Sequence, residues 1–381
     1  MVNIAFTGGG TGGHIYPGLA VAAELSRLLA DSPHACNVRL FWIGSSSGMD
    51  RALVQEAGIE FFGVPSGKLR RYFSLRTAID FFKVAAGFFA SRKILKKQKA
   101  VLLFSKGGFV SVPPCAAASS LRIPVFTHES DFSPGLATRI NVRFVSRTGG
   151  RIFTAYDDTS RFFPQAVRDR VTVSGNPVRA VFKSADAAKG RAFLKLADDA
   201  RVLLVLGGSQ GALEINELVR AALPQLTEVY TVVHQSGPNL SWDVPAAQNY
   251  RPFPFIREEL PHVMAAAEIV VSRSGAGIWE CAVLGKPMLL IPLRGSGTRG
   301  DQVENAEYFE KAGAAQVLTG NDANPQSLIS AVKSLAQDSE KREAMSQASR
   351  KIGERNGAET IARILAEQIK LSIEEKTGEK N

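Results

Sequence analysis

Twice in this chain an apolar run breaks into a cluster of glycines and then resumes as an amphipathic helix. Residues 2–6 lead into Gly8-Gly9-Gly10-Thr11-Gly12-Gly13-His14, and residues 202–206 lead into Gly207-Gly208-Ser209-Gln210-Gly211-Ala212. A buried strand, a glycine turn and a helix form the opening unit of a parallel α/β sheet. Glycines let the backbone take positive φ and approach a ligand closely, while the helix start offers free N–H groups to an anion. Each half continues in the same alternation. Further strands are expected at residues 39–43, 101–105 and 124–128, then at 229–234, 269–272 and 288–291, with a helix over 18–29 after the first loop. At 381 residues the chain exceeds one ordinary core, so the fold class expected is α/β with two similar nucleotide-fold domains. The expected division is 1–172, 173–355 and a C-terminal helix over 356–381 packing back on the first domain; the boundary follows the turn at Asn176-Pro177.

Gly8, Gly10 and Gly13 satisfy G-x-G-x-x-G, but a dinucleotide site needs an acid at the end of the next strand, and that strand ends Ile43-Gly44-Ser45. No Gly-Lys-Ser/Thr follows either loop, which excludes a P-loop. A diphosphate of another kind suits both loops; a plain strand-to-helix turn is the alternative. His14 sits at the rim of the first loop, where an imidazole titrating near neutrality can serve as general base for a hydroxyl. The alternative is a structural histidine.

Cys36, Cys115 and Cys281 are scattered and odd in number, which fits a reducing compartment and no disulfide framework. The first residues lack the pattern of a secretory signal, and no run of 18 apolar residues occurs, so a cytosolic protein is expected. The net charge is +10, and ten basic residues against the single acid Asp80 lie within 66–99. That excess predicts an anionic surface as partner, either lipid head groups or nucleic acid. Tyr72, Phe73, Ile79, Phe82 and Phe89 are interleaved with those cations, the composition of a helix that lies on an anionic membrane. The expected membrane contacts are Arg70, Arg71, Tyr72, Phe73, Arg76, Ile79, Phe82 and Lys83. A core-facing helix with a solvated basic face is the alternative. No nucleic-acid-binding motif accompanies the run, so nucleic acid is not expected.

A series of segments, in order, resembles one known family: GGTGGHIYPGLA from Gly9, GGFVSVP from Gly107, HESDFSPG from His128, GNPVR from Gly175, GGSQGA from Gly207, HQSG from His234, PFI from Pro254, SRSGAGIWE from Ser272 and DQVENA from Asp301. They are similar to the family-28 UDP-N-acetylglucosamine transferases that complete lipid II of bacterial peptidoglycan. The resemblance implies a GT-B fold, two Rossmann-like domains with parallel sheets facing across a cleft. It implies inverting transfer of N-acetylglucosamine (GlcNAc) from UDP-GlcNAc to the C4 hydroxyl of N-acetylmuramic acid in undecaprenyl-diphosphate-linked muramyl pentapeptide (lipid I). The partners implied are UDP-GlcNAc, lipid I, the anionic inner face of the cell membrane and other cell-wall synthesis proteins; no cofactor or metal is implied. By residue, His14 is the implied base. Thr11, Gly12, Gly13, Gly107, Gly108, Phe109, His128 and Glu129 are implied on the acceptor side. Arg179, Gly208, Ser209, Gln210, Phe255, Ile256, Glu280, Gln302, Asn305 and Asp131 are implied around the donor. Arg179 could instead be a surface ion-pair partner, Glu280 a solvated helix residue, and Gln302 with Asn305 helix caps.

The chain departs from the family pattern in three places. His128-Glu129-Ser130-Asp131 stands where His-Glu-Gln-Asn is usual, which puts an acid where an amide is expected. The stretch between Gly275 and Glu280 is one residue short, and Asp301 replaces the usual His or Gln. The same architecture also serves UDP-sugar glycolipid synthases and UDP-GlcNAc 2-epimerases, and a non-catalytic nucleotide-sugar binding protein is a further alternative.

Overall fold

A computed structural model describes residues 2–30, 38–47, 50–67, 75–208, 211–238, 249–295 and 299–378, with side chains except at 75–79 and 373–378. The chain forms two compact units, Met1–Arg179 with Asn356–Asn381, and Ala180–Arg355.

The first unit runs β1 (Val2–Thr7), α1 (Gly12–Ala30), β2 (Val38–Ser45), α2 (Asp50–Glu56), β3 (Glu60–Val64), α3 (Leu75–Gln98), β4 (Ala100–Ser105), α4 (Val112–Ser120), β5 (Val125–Glu129), α5 (Leu136–Thr148), β6 (Ile152–Thr154) and β7 (Val171–Val173). The second runs α6 (Ala187–Leu194), β8 (Val202–Leu206), α7 (Leu213–Leu226), β9 (Thr231–Gln235), β10 (Tyr250–Phe253), α8 (Leu260–Ala266), β11 (Ile269–Ser272), α9 (Ile278–Val283), β12 (Met288–Leu290), α10 (Asp301–Lys311), β13 (Ala315–Val317), α11 (Pro325–Gln337) and α12 (Ser339–Gly353). Helix α13 (Gly357–Gly378) returns to the first unit.

Both sheets are parallel among the described residues, with orders β3-β2-β1-β4-β5-β6-β7 and β10-β9-β8-β11-β12-β13. In each, the order reverses beside the strand that feeds a glycine loop, so β1/β4 and β8/β11 are the switch points. Ligands of open α/β sheets bind outside the carboxyl ends of the strands at such points. The strands read as continuous apolar runs because both faces are covered: all five residues of β8 are buried. The short strands β3, β6, β10 and β13 were not expected from the sequence, since three to five residues near a sheet edge carry little periodic signal.

In the first unit Phe6 lies 5.9 Å from Trp42 and 5.5 Å from Phe104, centroid to centroid. Helix α1 comes close over this cluster because Gly18 has no side chain: a Cβ there would stand 2.5 Å from Trp42 Cη2. α1 starts at Gly12 rather than at residue 18, so His14 lies in its first turn. Ile361, Leu365 and Ile369 of α13, spaced one helical turn apart, are buried in the same core.

The division between units falls at Arg179, just past the Asn176-Pro177 turn at which the boundary is expected. β7 completes the first sheet on β6, and the segment after it is tied down there. Asn356 Oδ1 accepts from Val178 N and Ala358 N at 3.3 and 3.0 Å, and Gly357 N donates to Asn176 O at 3.2 Å.

Candidate functional site

Three segments meet at the carboxyl ends of β1, β4 and β5. The glycine loop after β1 is held from below by Trp42, whose Nε1 donates to Gly8 O at 3.0 Å. It is held from the side by Asp50, which the sequence reading missed. Asp50 is buried, and its carboxylate accepts from Gly10 N at 3.1 Å and from Ser45 N at 3.3 Å. Gly9 leaves it room, since a Cβ there would lie 2.1 Å from Asp50 Oδ2. Thr11 and Gly13 are exposed and Gly12 is buried at the helix start.

The loop after β4 carries Gly107 and Gly108 at φ +90° and +77°, conformations that favour glycine. Space demands it too: a Cβ on Gly108 would stand 2.6 Å from Gly9 O and 3.1 Å from His14 Cδ2. The imidazole of His14 therefore lies against the second loop, half-buried, and the ring edge of Phe109 fills the space beside Gly10.

Between the two loops runs a residue absent from the sequence-based site. Lys106 follows β4 and is only 1% exposed. Its stem passes beneath the first loop: a Cβ on Gly8 would stand 3.0 Å from Lys106 Cβ. Its Nζ donates to Ser130 Oγ at 2.5 Å, and Ser130 Oγ donates to Asn176 Oδ1 at 2.8 Å. Burial lowers the Lys106 pKa to about 8, against the opposing attraction of Glu129 and Asp131. A lysine closing an apolar strand just before Gly-Gly was the available signal.

His128 and Glu129 are buried at the end of β5. His128 Nε2 lies 3.1 Å from Gly175 O, so it carries the proton there. Burial, with the charge of Lys106, pushes the His128 pKa well below the usual histidine range. Glu129 accepts from Asp131 N and Gly135 N, each at 3.0 Å, so its carboxylate organises the loop that carries the half-buried Asp131. Arg179, expected in the nucleotide-holding half, closes the first segment of the first unit, its guanidinium 4.9 Å from the Tyr16 ring centroid.

In the second unit Gly208 is exposed with φ +83°, while Ser209 and Gln210 lie outside the described residues. Gln235, also missed, links two segments: its Nε2 donates to Gly208 O at 3.2 Å and its Oε1 accepts from Ile256 N at 2.9 Å. The Ile256 side chain is buried and the Phe255 ring beside it is 39% exposed. Glu280 lies half-exposed in the first turn of α9, next to the buried Ile278 and Trp279. Open space surrounds Gly275 and Gly277, where an added Cβ would meet nothing within 4 Å. Gln302 and Asn305 do not cap α10, whose N-cap is Gly300 with no side-chain cap bond. Gln302 Oε1 accepts from Leu293 N at 3.0 Å, and the buried Asn305 donates to Ser274 O at 3.0 Å. They bind the glycine loop after β11 to the segment after β12.

Among the described residues no helix is long and apolar enough to cross a membrane. Of the expected membrane contacts, Arg70, Arg71, Tyr72 and Phe73 lie outside the described residues, and Arg76 and Ile79 have no described side chains. Helix α3 buries Gly87, Ser91 and Leu95 on one side. Its other side exposes Phe81, Phe82 and Phe89 at 67, 72 and 68%, with Lys83, Arg92, Lys93, Lys96 and Lys97 also exposed.

Comparison with known proteins agrees with this layout. The glycosyltransferase family 28 N-terminal domain matches residues 4–149 and its C-terminal domain residues 202–363. The UDP-N-acetylglucosamine–N-acetylmuramyl-(pentapeptide) pyrophosphoryl-undecaprenol N-acetylglucosamine transferases of Treponema denticola and Treponema pallidum are each 48% identical, over 88% and 96% of both chains. Among solved structures, MurG of Acinetobacter baumannii superposes with a TM-score of 0.68 at 23% identity, covering 96% of this chain and 99% of that one. A UDP-GlcNAc 2-epimerase from Neisseria meningitidis reaches 0.64 at 18% identity, covering 96% and 100%, which speaks for the shared fold alone. With both domain types matched in order and its relatives aligned nearly end to end, this chain belongs to glycosyltransferase family 28 and is a glycosyltransferase.

Proposed function

We propose that the protein transfers GlcNAc from UDP-GlcNAc to the C4 hydroxyl of N-acetylmuramic acid in lipid I, with inversion, giving lipid II for peptidoglycan. The observation that carries this reading is the 48% identity to transferases of that name along 96% of the chain, which takes in both switch-point loops. The first unit supplies the acceptor end. His14 takes the proton of the attacking hydroxyl, and the N–H groups at the start of α1 attract the acceptor diphosphate, helped by Thr11, Gly12 and Gly13. Gly107, Gly108 and Phe109 shape the floor, and His128 and Glu129 hold the backbone around it. The second unit binds the nucleotide. Ile256 reads uracil through its carbonyl, since its N–H is committed to Gln235; Phe255 lies beside the ring, and Glu280 bonds the ribose. Gly208, Ser209 and Gln210 are the residues that bind the diphosphate, for which Arg179 supplies a cation. Gln302, Asn305 and Asp131 serve the sugar. Aimed N–H groups and a cation stabilise the departing UDP by preorganised electrostatics.

We further propose that the exposed aromatic and basic face of α3 rests on the anionic inner face of the cell membrane, where the lipid acceptor resides. Anionic lipid attracts each nearby cation by about 1 kcal/mol, so several together give reversible binding.

UDP release from UDP-GlcNAc by the purified protein, with and without a short-chain lipid I analogue, tests the transferase reading. Acceptor-dependent release with a disaccharide product by mass spectrometry is expected. Release independent of acceptor, or UDP-N-acetylmannosamine formed from UDP-GlcNAc alone, would overturn it.

A further inference from the structure

We propose that Asp50 is a positioning residue for the acceptor end: its carboxylate sets the shape of the first glycine loop, and Gly9 is a glycine because that carboxylate fills the space beside it. The inference rests on the transferase reading and adds two residues to it.

The glycines that open the loop are glycines for different reasons. Gly8 and Gly10 have φ of +146° and +91°, backbone that L side chains rarely adopt. Gly9 has no such need, because its φ is not positive. What excludes a side chain there is one carboxylate. A Cβ on Gly9 would stand 2.1 Å from Asp50 Oδ2 and 2.7 Å from Asp50 Cγ, and the next nearest atom is Asp50 Oδ1 at 3.2 Å.

Asp50 is 1% exposed, and a carboxylate so buried needs hydrogen-bond donors. Each oxygen has its own: Oδ1 accepts from Gly10 N at 3.1 Å and Oδ2 from Ser45 N at 3.3 Å. The two donors lie on different segments, Gly10 after β1 and Ser45 at the end of β2. Ser45 is itself held, its Oγ 2.7 Å from Ser66 Oγ, and the adjoining Ser46 N donates to Val64 O of β3 at 3.0 Å. Asp50 thus fastens the loop to the frame of β2 and β3, while the ring edge of Phe109 closes the space on the other side of Gly10.

The loop runs straight into α1, where Thr11 O accepts from His14 N at 3.1 Å. A displacement of Gly10 therefore moves both the helix start and the base. The Gly10 N–H is spent on Asp50, so the donors that meet an acceptor diphosphate are those of the residues that follow it, at the helix start.

The test compares wild type with Asp50→Asn, Gly9→Ala, Asp50→Ala and the Gly9→Ala/Asp50→Ala double variant. Asp50→Asn keeps the shape but has a single oxygen, so whichever way the amide turns, its NH2 group faces a backbone N–H. Acceptor kcat and KM are measured with the short-chain lipid I analogue at saturating UDP-GlcNAc. UDP affinity by calorimetry and the folded fraction by circular dichroism are read at the assay temperature. Asp50→Asn and Gly9→Ala should each raise the acceptor KM and lower kcat/KM on the order of tenfold to a hundredfold, as misplaced geometry does. UDP affinity, assigned to the second unit, should stay at the wild-type value. In the Asp50→Ala background Gly9→Ala should cost less than about threefold, because the carboxylate it would strike is gone and residues in contact are not additive. An Asp50→Asn variant with the acceptor KM of wild type would overturn the positioning role, as would a fall in kcat alone that tracks the folded fraction. Equal cost of Gly9→Ala in both backgrounds would remove Asp50 as the reason for Gly9. Failure of wild type itself to release UDP with acceptor would instead remove the transferase reading beneath it.

Discussion

His14 and Lys106 are basic residues at the carboxyl ends of neighbouring strands, and their surroundings assign them different work. His14 is half-buried in the first turn of α1 with its ring along Gly107 and Gly108. Lys106 is sealed below the loop and acts on other side chains. His14→Ala is therefore expected to lower transfer by about 10²-fold or more, the range of a lost general base, with UDP affinity unchanged by calorimetry. Weakened UDP binding by this variant would place His14 with the nucleotide and remove it as the base. His14 was legible in the sequence because a histidine closing a glycine cluster has a stated chemistry. Asp50, Lys106 and Gln235 were not, because each acts through a partner distant in the chain: Gly10, Ser130 and Ile256.

Among the elements, α3 shows how one helix serves two environments. Gly87 lets it approach closely, since a Cβ there would stand 2.3 Å from Pro65 O. Ser91 and Leu95 continue that buried side. Phe82 and Phe89 are seven positions apart and so share the opposite face, with Lys93 and Lys96 in register. The double variant Phe82→Ser/Phe89→Ser should bind vesicles containing phosphatidylglycerol more weakly in a sedimentation assay. Its Tm should stay put, because both rings are exposed already. Vesicle binding equal to wild type would remove this face as the contact. The sequence offered two readings of the stretch, membrane-facing or core-facing. Packing supplies the core-facing side and leaves the aromatic side uncovered within the described residues.

For the whole molecule, the chain passes from one unit to the other and back, and α13 closes the first unit with its last helix. Ile361, Leu365 and Ile369 are fully buried, each contributing about 1.5–3 kcal/mol of apolar burial. Leu365→Ala should destabilise the first unit by about 2–5 kcal/mol in urea unfolding. A loss below about 1 kcal/mol would mean that α13 is dispensable to that core. The residues that pin the return, Asn176, Asn356 and Gly357, also lead through Ser130 to Lys106, so the chain's return and the loop after β4 share one hydrogen-bond network.

The sequence by itself determined the two repeated strand–glycine–helix openings, the parallel α/β class and the family, because these depend on local periodicity and on residues close together in the chain. It also marked His14, Gly107, Gly108 and the basic run of α3. The tertiary structure alone decided which short strands join the sheet edges and which partners the polar side chains at the loops take. Asn305, for which a cap was the alternative to a place beside the donor, tethers α10 to Ser274, and Arg179 joined the first unit. Such assignments depend on hydrogen bonds and buried charges between segments far apart in sequence. Folding alone brings those segments within reach, and burial sets how much each interaction weighs.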